Sequence, residues 1–228
     1  MNLRVLAIDG PAASGKSSTA GAVAEQLGWV HIDSGALYRA LTWVAVHRNL
    51  GEAPAITAAA AAMQVRLQPA RAGFEVHVDG LDDVETALRS PEVNARVSRI
   101  AAMPAIRNWV NDRLRDAVIR HGPAVVDGRD IGTEVFPDAA VKIFLTATPQ
   151  ARAARRLHQL HGAVDPLLLA GEALRLTERD RLDEGRAVAP LRRAPDAILV
   201  DTTSLTFEQQ VDQIATLAHE RLGKAPSS

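Results

Sequence analysis

The chain contains no cysteine. That excludes disulfides, thiol catalysis and cysteine-based metal sites. Lysine is nearly absent too: Lys16, Lys142 and Lys224 are the only three, so a lysine at a motif position carries weight. Charge of one sign is lacking, with a formal net charge of −1. No global attraction to nucleic acid or to an acidic membrane follows. No apolar run approaches the length of a membrane span. No charged leader or cleavable apolar segment precedes the first strand, so a cytoplasmic, soluble protein is expected. Trp29, Trp43 and Trp109 come without a basic stripe and read as packing residues, not as a base-stacking platform. The 228 residues suffice for one α/β domain with a core of its own and small inserts.

What is present starts near the N-terminus. Val5 to Ile8 reads as a buried strand. Gly10-Pro11-Ala12-Ala13-Ser14-Gly15-Lys16-Ser17 then matches the phosphate-binding loop pattern, and Thr19 to Leu27 has the composition of a helix. Strand, glycine loop and helix form the context that the motif needs. Gly10 and Gly15 permit a tight turn. The loop N–H groups, from Gly10 through Ser18, then form an anion nest at a helix N-terminus. Lys16 adds a charge for the outer phosphates, and the Ser17 hydroxyl is placed to bind Mg²⁺. The pattern says nucleoside triphosphate without saying which reaction.

Further strands are expected at Trp29–Ile32, Ala124–Asp127, Val141–Leu145 and Ala197–Val200. Helices are expected at Ala36–His47, Ala55–Met63, Pro91–His121 with a break near Pro104, Pro149–Leu160, Leu167–Leu182 and Phe207–Leu222. The tail from Gly223 should fray. Val65–Leu67 and Phe74–Val78 look like a hairpin around Ala72-Gly73, inserted into the alternation. Five apolar strands alternating with helices imply a five-stranded parallel sheet covered on both faces. Ligands of such sheets bind beyond the carboxyl ends of the strands.

Polar clusters sit where that rule puts a site. Asp33-Ser34-Gly35-Ala36-Leu37-Tyr38-Arg39 follows the second strand, and its Asp33-Ser34 also suits a helix N-cap. Asp127-Gly128-Arg129-Asp130-Ile131-Gly132-Thr133 follows the third strand. Arg179 to Arg186 is a charge run that also suits a solvated helix face. His158 and His161 have a metal-compatible spacing but no third ligand, so they read as a surface pair.

Together these strings resemble the bacterial cytidylate kinases, a branch of the nucleoside monophosphate kinase family, from Ile8-Asp9-Gly10-Pro11 to Asp201-Thr202-Thr203. The resemblance implies an α/β P-loop kinase fold with a helical lid at about 158–178 and a monophosphate-binding region with its hairpin at about 36–121. The core would then cover about 1–35, 122–157 and 179–228. It implies ATP-dependent phosphorylation of CMP and dCMP by a monomer. Ser34, Arg39 and Arg129 would bind the CMP phosphate, and Ser98, Arg107 and Asp130 the cytosine. Arg179, Asp183 and Arg186 would lie around the sugar and phosphates. One of Arg152, Arg155 and Arg156 would reach the transferring phosphoryl group; the family's variable spacing leaves open which. Glu184-Gly185 departs from the Ser- or Asn-containing string expected before Arg186. Asp127 is read as orienting the Mg²⁺ hydration shell.

Two rival readings are another small-molecule P-loop kinase, such as one acting on shikimate, and a GTP-dependent switch. The switch needs an Asn/Thr-Lys-x-Asp guanine motif after a late strand. Here Lys142 is followed by Ile143 and Phe144, so that motif is absent.

Overall fold

Val5-Leu6-Ala7-Ile8 is apolar at every position because the strand it forms is covered on both faces. In a strand, successive side chains point to opposite faces. Val5 and Ala7 join one core cluster, and Leu6 and Ile8 join another, all fully buried. The computed structural model describes residues 4–71, 73–162 and 164–223, with the backbone alone at His161 and Gly223.

The strands are β1 (Val5–Asp9), β2 (Val30–Asp33), β3 (Arg66–Ala70), β4 (Gly73–His77), β5 (Ala124–Gly128), β6 (Val141–Thr146) and β7 (Ile198–Asp201). They form one sheet in the order β3-β4-β2-β5-β1-β6-β7. The helices are α1 (Lys16–Leu27), α2 (Ser34–His47), α3 (Ala53–Ala62), α4 (Val84–Leu88), α5 (Pro91–Ala101), α6 (Pro104–His121), α7 (Pro149–His161), α8 (Pro166–Glu184) and α9 (Phe207–Gly223). The first cluster unites β1, β2 and β5 with α2, α3, α5 and α6. The second unites β1, β5 and β6 with α1 and α9. Trp43 and Trp109 pack against the first and Trp29 against the second, as packing residues do.

The five expected core strands are all parallel neighbours. The expected strand count of five is nonetheless corrected to seven. The hairpin is not a separate appendage. Its strand β4 runs parallel to β2 and meets it at His31 and Gly73, while β3 pairs antiparallel with β4. Only glycine permits this join. Gly73 has φ 134°, and a β-carbon there would lie 2.3 Å from the His31 carbonyl oxygen. The expected turn partner Ala72 lies outside the described residues, as does the tail at 224–228.

Pro104 opens α6 where the helix break was expected. Two elements have no counterpart in the sequence reading. One is α4, only five residues long and capped by the Asp83 carboxylate, which accepts the Thr86 N–H. The other is a single π-helical turn at Ile131–Val135. No helix among the described residues is long and apolar enough to cross a membrane.

Candidate active site

Parallel pairing brings three acids together at the carboxyl edge. Asp33 stands in register with Asp127, and Asp9 with Gly128. The chain order reverses around β1, and the loop after β1 fills the crevice there.

That loop is tightly held. Gly10 has φ 153°, and a β-carbon would sit 2.0 Å from the Leu145 carbonyl oxygen. Ala13 adopts φ 56°, a left-handed conformation uncommon outside glycine. Gly15, at φ 85°, leads into α1, which carries no acid in its first turn. An N-terminus without acids suits an anion. Lys16 is buried, and its Nζ donates to the Pro11 carbonyl at 2.6 Å and to Ser14 Oγ at 3.2 Å. Burial, reinforced by the nearby Arg129 charge, holds the Lys16 ammonium well below its ordinary pKa, against the pull of Asp127 and Asp9. The Ser17 hydroxyl lies 3.4 Å from Asp33 Oδ2, and Ser18 is exposed on the first turn of α1.

The acid row is wired to its surroundings. Asp33 caps α2 by accepting the Ala36 N–H and also faces Arg39 at 3.6 Å, so the capping reading and the site reading hold together. Burial would raise its carboxyl, but Arg39 and His31 hold it below its ordinary value. Asp127 bonds His31 Nε2 at 2.8 Å, and its backbone carbonyl accepts the Ser34 hydroxyl at 2.7 Å. Burial alone would lower His31, yet Asp127 and Asp33 hold the imidazole above its ordinary value.

Asp9 accepts the N–H groups of Ile131 and Gly132 at 2.8 and 2.7 Å, one on each oxygen. It thereby anchors the π-helical turn that follows Arg129 and Asp130. Burial pushes its carboxyl up to about 7 despite those two bonds. A raised acid loses stability as pH climbs from its unfolded to its folded pKa, because only the unfolded chain has released the proton. Asp9→Asn removes the titration and leaves one N–H without an acceptor, which costs about 1–3 kcal/mol. The stability gap between wild type and Asp9→Asn should therefore shrink as pH rises from 3.8 to about 7. Urea unfolding across that range checks it; a gap independent of pH means that Asp9 titrates at its ordinary value.

A second cluster faces the loop. Asp183 is buried and accepts from Ser98 Oγ at 3.0 Å, from Arg129 Nε at 3.0 Å and from Arg186. Burial would raise it, but Arg129, Arg186 and Arg179 hold it below its ordinary value. Arg107 and Asp130 form a buried pair, with the Arg107 guanidinium 5.5 Å from the centre of the Tyr38 ring. Burial raises Asp130 even beside that guanidinium. Burial and the Arg129 charge bring Arg179 down to about 10. Among the described residues, Arg179 Nε, Arg186 Nε and the Tyr38 hydroxyl are buried without a hydrogen-bond partner. Unsatisfied buried polar groups are ones that a polar ligand would satisfy.

The three α7 arginines separate. Arg152 is buried and donates to the Ala12 and Ala147 carbonyls and to Asp180. Arg155 donates to the hydroxyl and carbonyl of Thr202. Among the described residues, the Arg156 guanidinium has one contact, to Gln159 at 3.5 Å. Burial and the neighbouring Arg89, Arg39 and Arg175 charges lower its pKa against the pull of Glu172.

Sequence reasoning missed the roles of His31, Asp9 and Asp180. A histidine inside an otherwise apolar strand was the one available signal, at His31. The run Arg179 to Arg186 is split by helix geometry. Asp180 and Asp183 turn inward with Leu176, while Glu178 and Arg181 pair in solvent. His158 is exposed and the His161 side chain lies outside the described residues. No group of three or more histidines and acids is arranged to hold a metal among the described residues.

The family model for cytidylate kinase matches residues 6–220. A cytidylate kinase of Geobacillus sp. (strain WCH70) is 42% identical over 224 residues, covering 97% of this chain and 99% of that protein. One of Desulfitobacterium hafniense (strain Y51) is 44% identical over 223 residues, covering 97% and 94%. A bifunctional pantoate ligase/cytidylate kinase of Synechococcus sp. (strain JA-3-3Ab) is 45% identical over 226 residues; the alignment covers 97% of this chain but spans only 42% of that longer relative. With a family match over nearly its whole length, the chain belongs to the cytidylate kinase family.

Proposed function

We propose that the chain transfers the γ-phosphoryl group of ATP to CMP and dCMP, giving ADP and CDP or dCDP. One observation carries the reading beyond family membership. Arg129 belongs to both halves of the site: its charge is felt at Lys16 in the phosphate loop, and its guanidinium is bonded to Asp183 in the second cluster. A donor bound at the loop and an acceptor bound at the cluster would meet at this arginine.

A CMP phosphate oxygen attacks the γ-phosphorus in line as the bond to the ADP oxygen breaks. The transition state spreads negative charge over the equatorial oxygens, so catalysis is mainly positioning and charge neutralisation. Lys16 and Arg129 supply that charge, and Arg156 is the α7 arginine with a guanidinium free to join them. Arg39, with the Ser34 hydroxyl, holds the acceptor phosphate. Asp130, Arg107 and Ser98 read the base. Arg179, Asp183 and Arg186 line the sugar and phosphate side. The region at about 158–178 closes over the reactants and excludes water.

Mg²⁺ would be held by the Ser17 hydroxyl, with Asp127 and Asp33 orienting its waters. An oxygen-only donor set with few protein ligands fits that ion, which keeps several waters and takes the rest of its ligands from phosphates. It would neutralise charge on the β- and γ-phosphates. The enzyme is taken as a cytoplasmic monomer acting on small molecules, without nucleic acid or membrane.

A coupled ADP-release assay across CMP, dCMP, UMP, AMP and GMP tests this. CMP and dCMP should exceed the others in kcat/KM by about tenfold or more, since a site built to hydrogen-bond one base edge rejects the wrong one strongly. A preference for AMP or GMP overturns the cytosine assignment. Turnover of shikimate with none of any nucleotide restores the rival kinase.

A further inference from the structure

Ala13 poses a question that the loop alone does not answer. A non-glycine residue at φ 56° is strained, and such conformations persist only where the surroundings over-determine them. The residue before it supplies the restraint. Asp180 Oδ1 accepts the Ala12 N–H at 2.8 Å. Arg152 donates to the Ala12 carbonyl at 2.8 Å and to Asp180 Oδ2 at 2.5 Å. The Arg152 Nε is fixed in turn on the Ala147 carbonyl at 3.0 Å. All of these bonds are buried, and Ala12, Ala153, Ala173 and Leu176 form an apolar cluster beside them.

We propose that Arg152 and Asp180 are positioning residues that set the phosphate loop for ATP. The geometry gives the reason. The Ala12 carbonyl belongs to the same planar, trans peptide as the Ala13 N–H, so the two point in opposite directions. Pinning the oxygen on Arg152 aims that N–H away from α7. Asp180 does the same for the preceding peptide through its N–H. Two successive peptide planes are thus fixed before any ligand arrives, and a preorganised donor loses no ordering entropy on binding. Both partners also stand at the roots of the 158–178 region, Arg152 on α7 and Asp180 on α8. The apolar surroundings leave these charges no water to turn to, so each holds the other in place.

The inference rests on the reading that this loop binds the ATP phosphates, and the test separates the two. Asp180→Asn keeps one acceptor but discharges the pair. Arg152→Lys keeps a cation but cannot serve three acceptors from one planar fork. Binding of a non-hydrolysable ATP analogue and, separately, of CMP is measured by calorimetry on the full chain, together with thermal melting. Each variant should bind the analogue about 10- to 100-fold more weakly, because misplacement by about 1 Å costs that much in a preorganised site. CMP affinity should stay within about twofold, and KM for ATP should rise more than KM for CMP. Equal losses for both ligands, or a lower melting temperature with both affinities intact, would mean that the pair serves the fold alone. If Asp180→Asn does not fold, Arg152→Lys carries the same comparison. Failure of the wild type to bind the analogue removes the ATP assignment itself.

Discussion

Lys16→Ala is expected to lower kcat by about 10²–10³ while the protein stays folded, the loss typical for removing one donor aimed at a developing oxyanion. The fold should tolerate it. Lys16 is a buried cation whose partners are the neutral Pro11 carbonyl and Ser14 hydroxyl, not a carboxylate. Its removal breaks no direct ion pair, and desolvation already works against its ammonium. Transfer is another matter. Phosphates brought to the loop would draw the Lys16 ammonium toward the reacting group, a response that alanine lacks. Steady-state kinetics with ATP varied, beside a melting curve, decides the point. Near-normal turnover with unchanged ATP saturation would place the reacting phosphates elsewhere.

The second large effect concerns base choice. Cytosine carries an N–H₂ donor at position 4 where uracil carries a carbonyl, and an ionised carboxylate only accepts. Asp130 facing uracil would oppose acceptor to acceptor, at about 1–3 kcal/mol or more for a buried charged group, enough for tenfold to hundredfold discrimination. Asp130→Asn offers an amide able to turn either way, so the ratio of kcat/KM for CMP to that for UMP should fall by about tenfold or more. Arg107 adds a cost. It is buried against Asp130, and breaking one side of such a pair destabilises by about 3–5 kcal/mol. Activity on both nucleotides will therefore fall. Taking the ratio within each protein cancels that common loss. An unchanged ratio beside reduced activity would mean that Asp130 serves Arg107 and that the base is read by other groups.

Much of this arrangement was legible in the residues. The apolar run Val5–Ile8 announced a buried parallel strand, because covering both faces removes any alternation. The Gly10 to Ser17 string announced the loop. The expected hairpin formed, but its union with β2 did not show, since it depends on one backbone approach at Gly73. Five residues are too few for α4 to display a helical period. The α7 arginines could not be sorted because their separate fates depend on distant partners, Asp180 for Arg152 and Thr202 for Arg155. In the Arg179 to Arg186 run the resemblance singled out Asp183, but not its pairing with Ser98 and Arg129, which come from other elements.

The join between Gly73 and His31 also bears on self-association. Without β4, the rim of the sheet would be β2, with an open row of N–H and C=O groups and the apolar Val30 and Ile32. Such a rim is a template for strands of other molecules. The hairpin moves the rim outward to β3, where Pro69 offers no N–H and the exposed Arg66 sets a charge. Proline and charge are the usual deterrents against strand addition at an edge. The hairpin thus guards this edge of the sheet against strand addition.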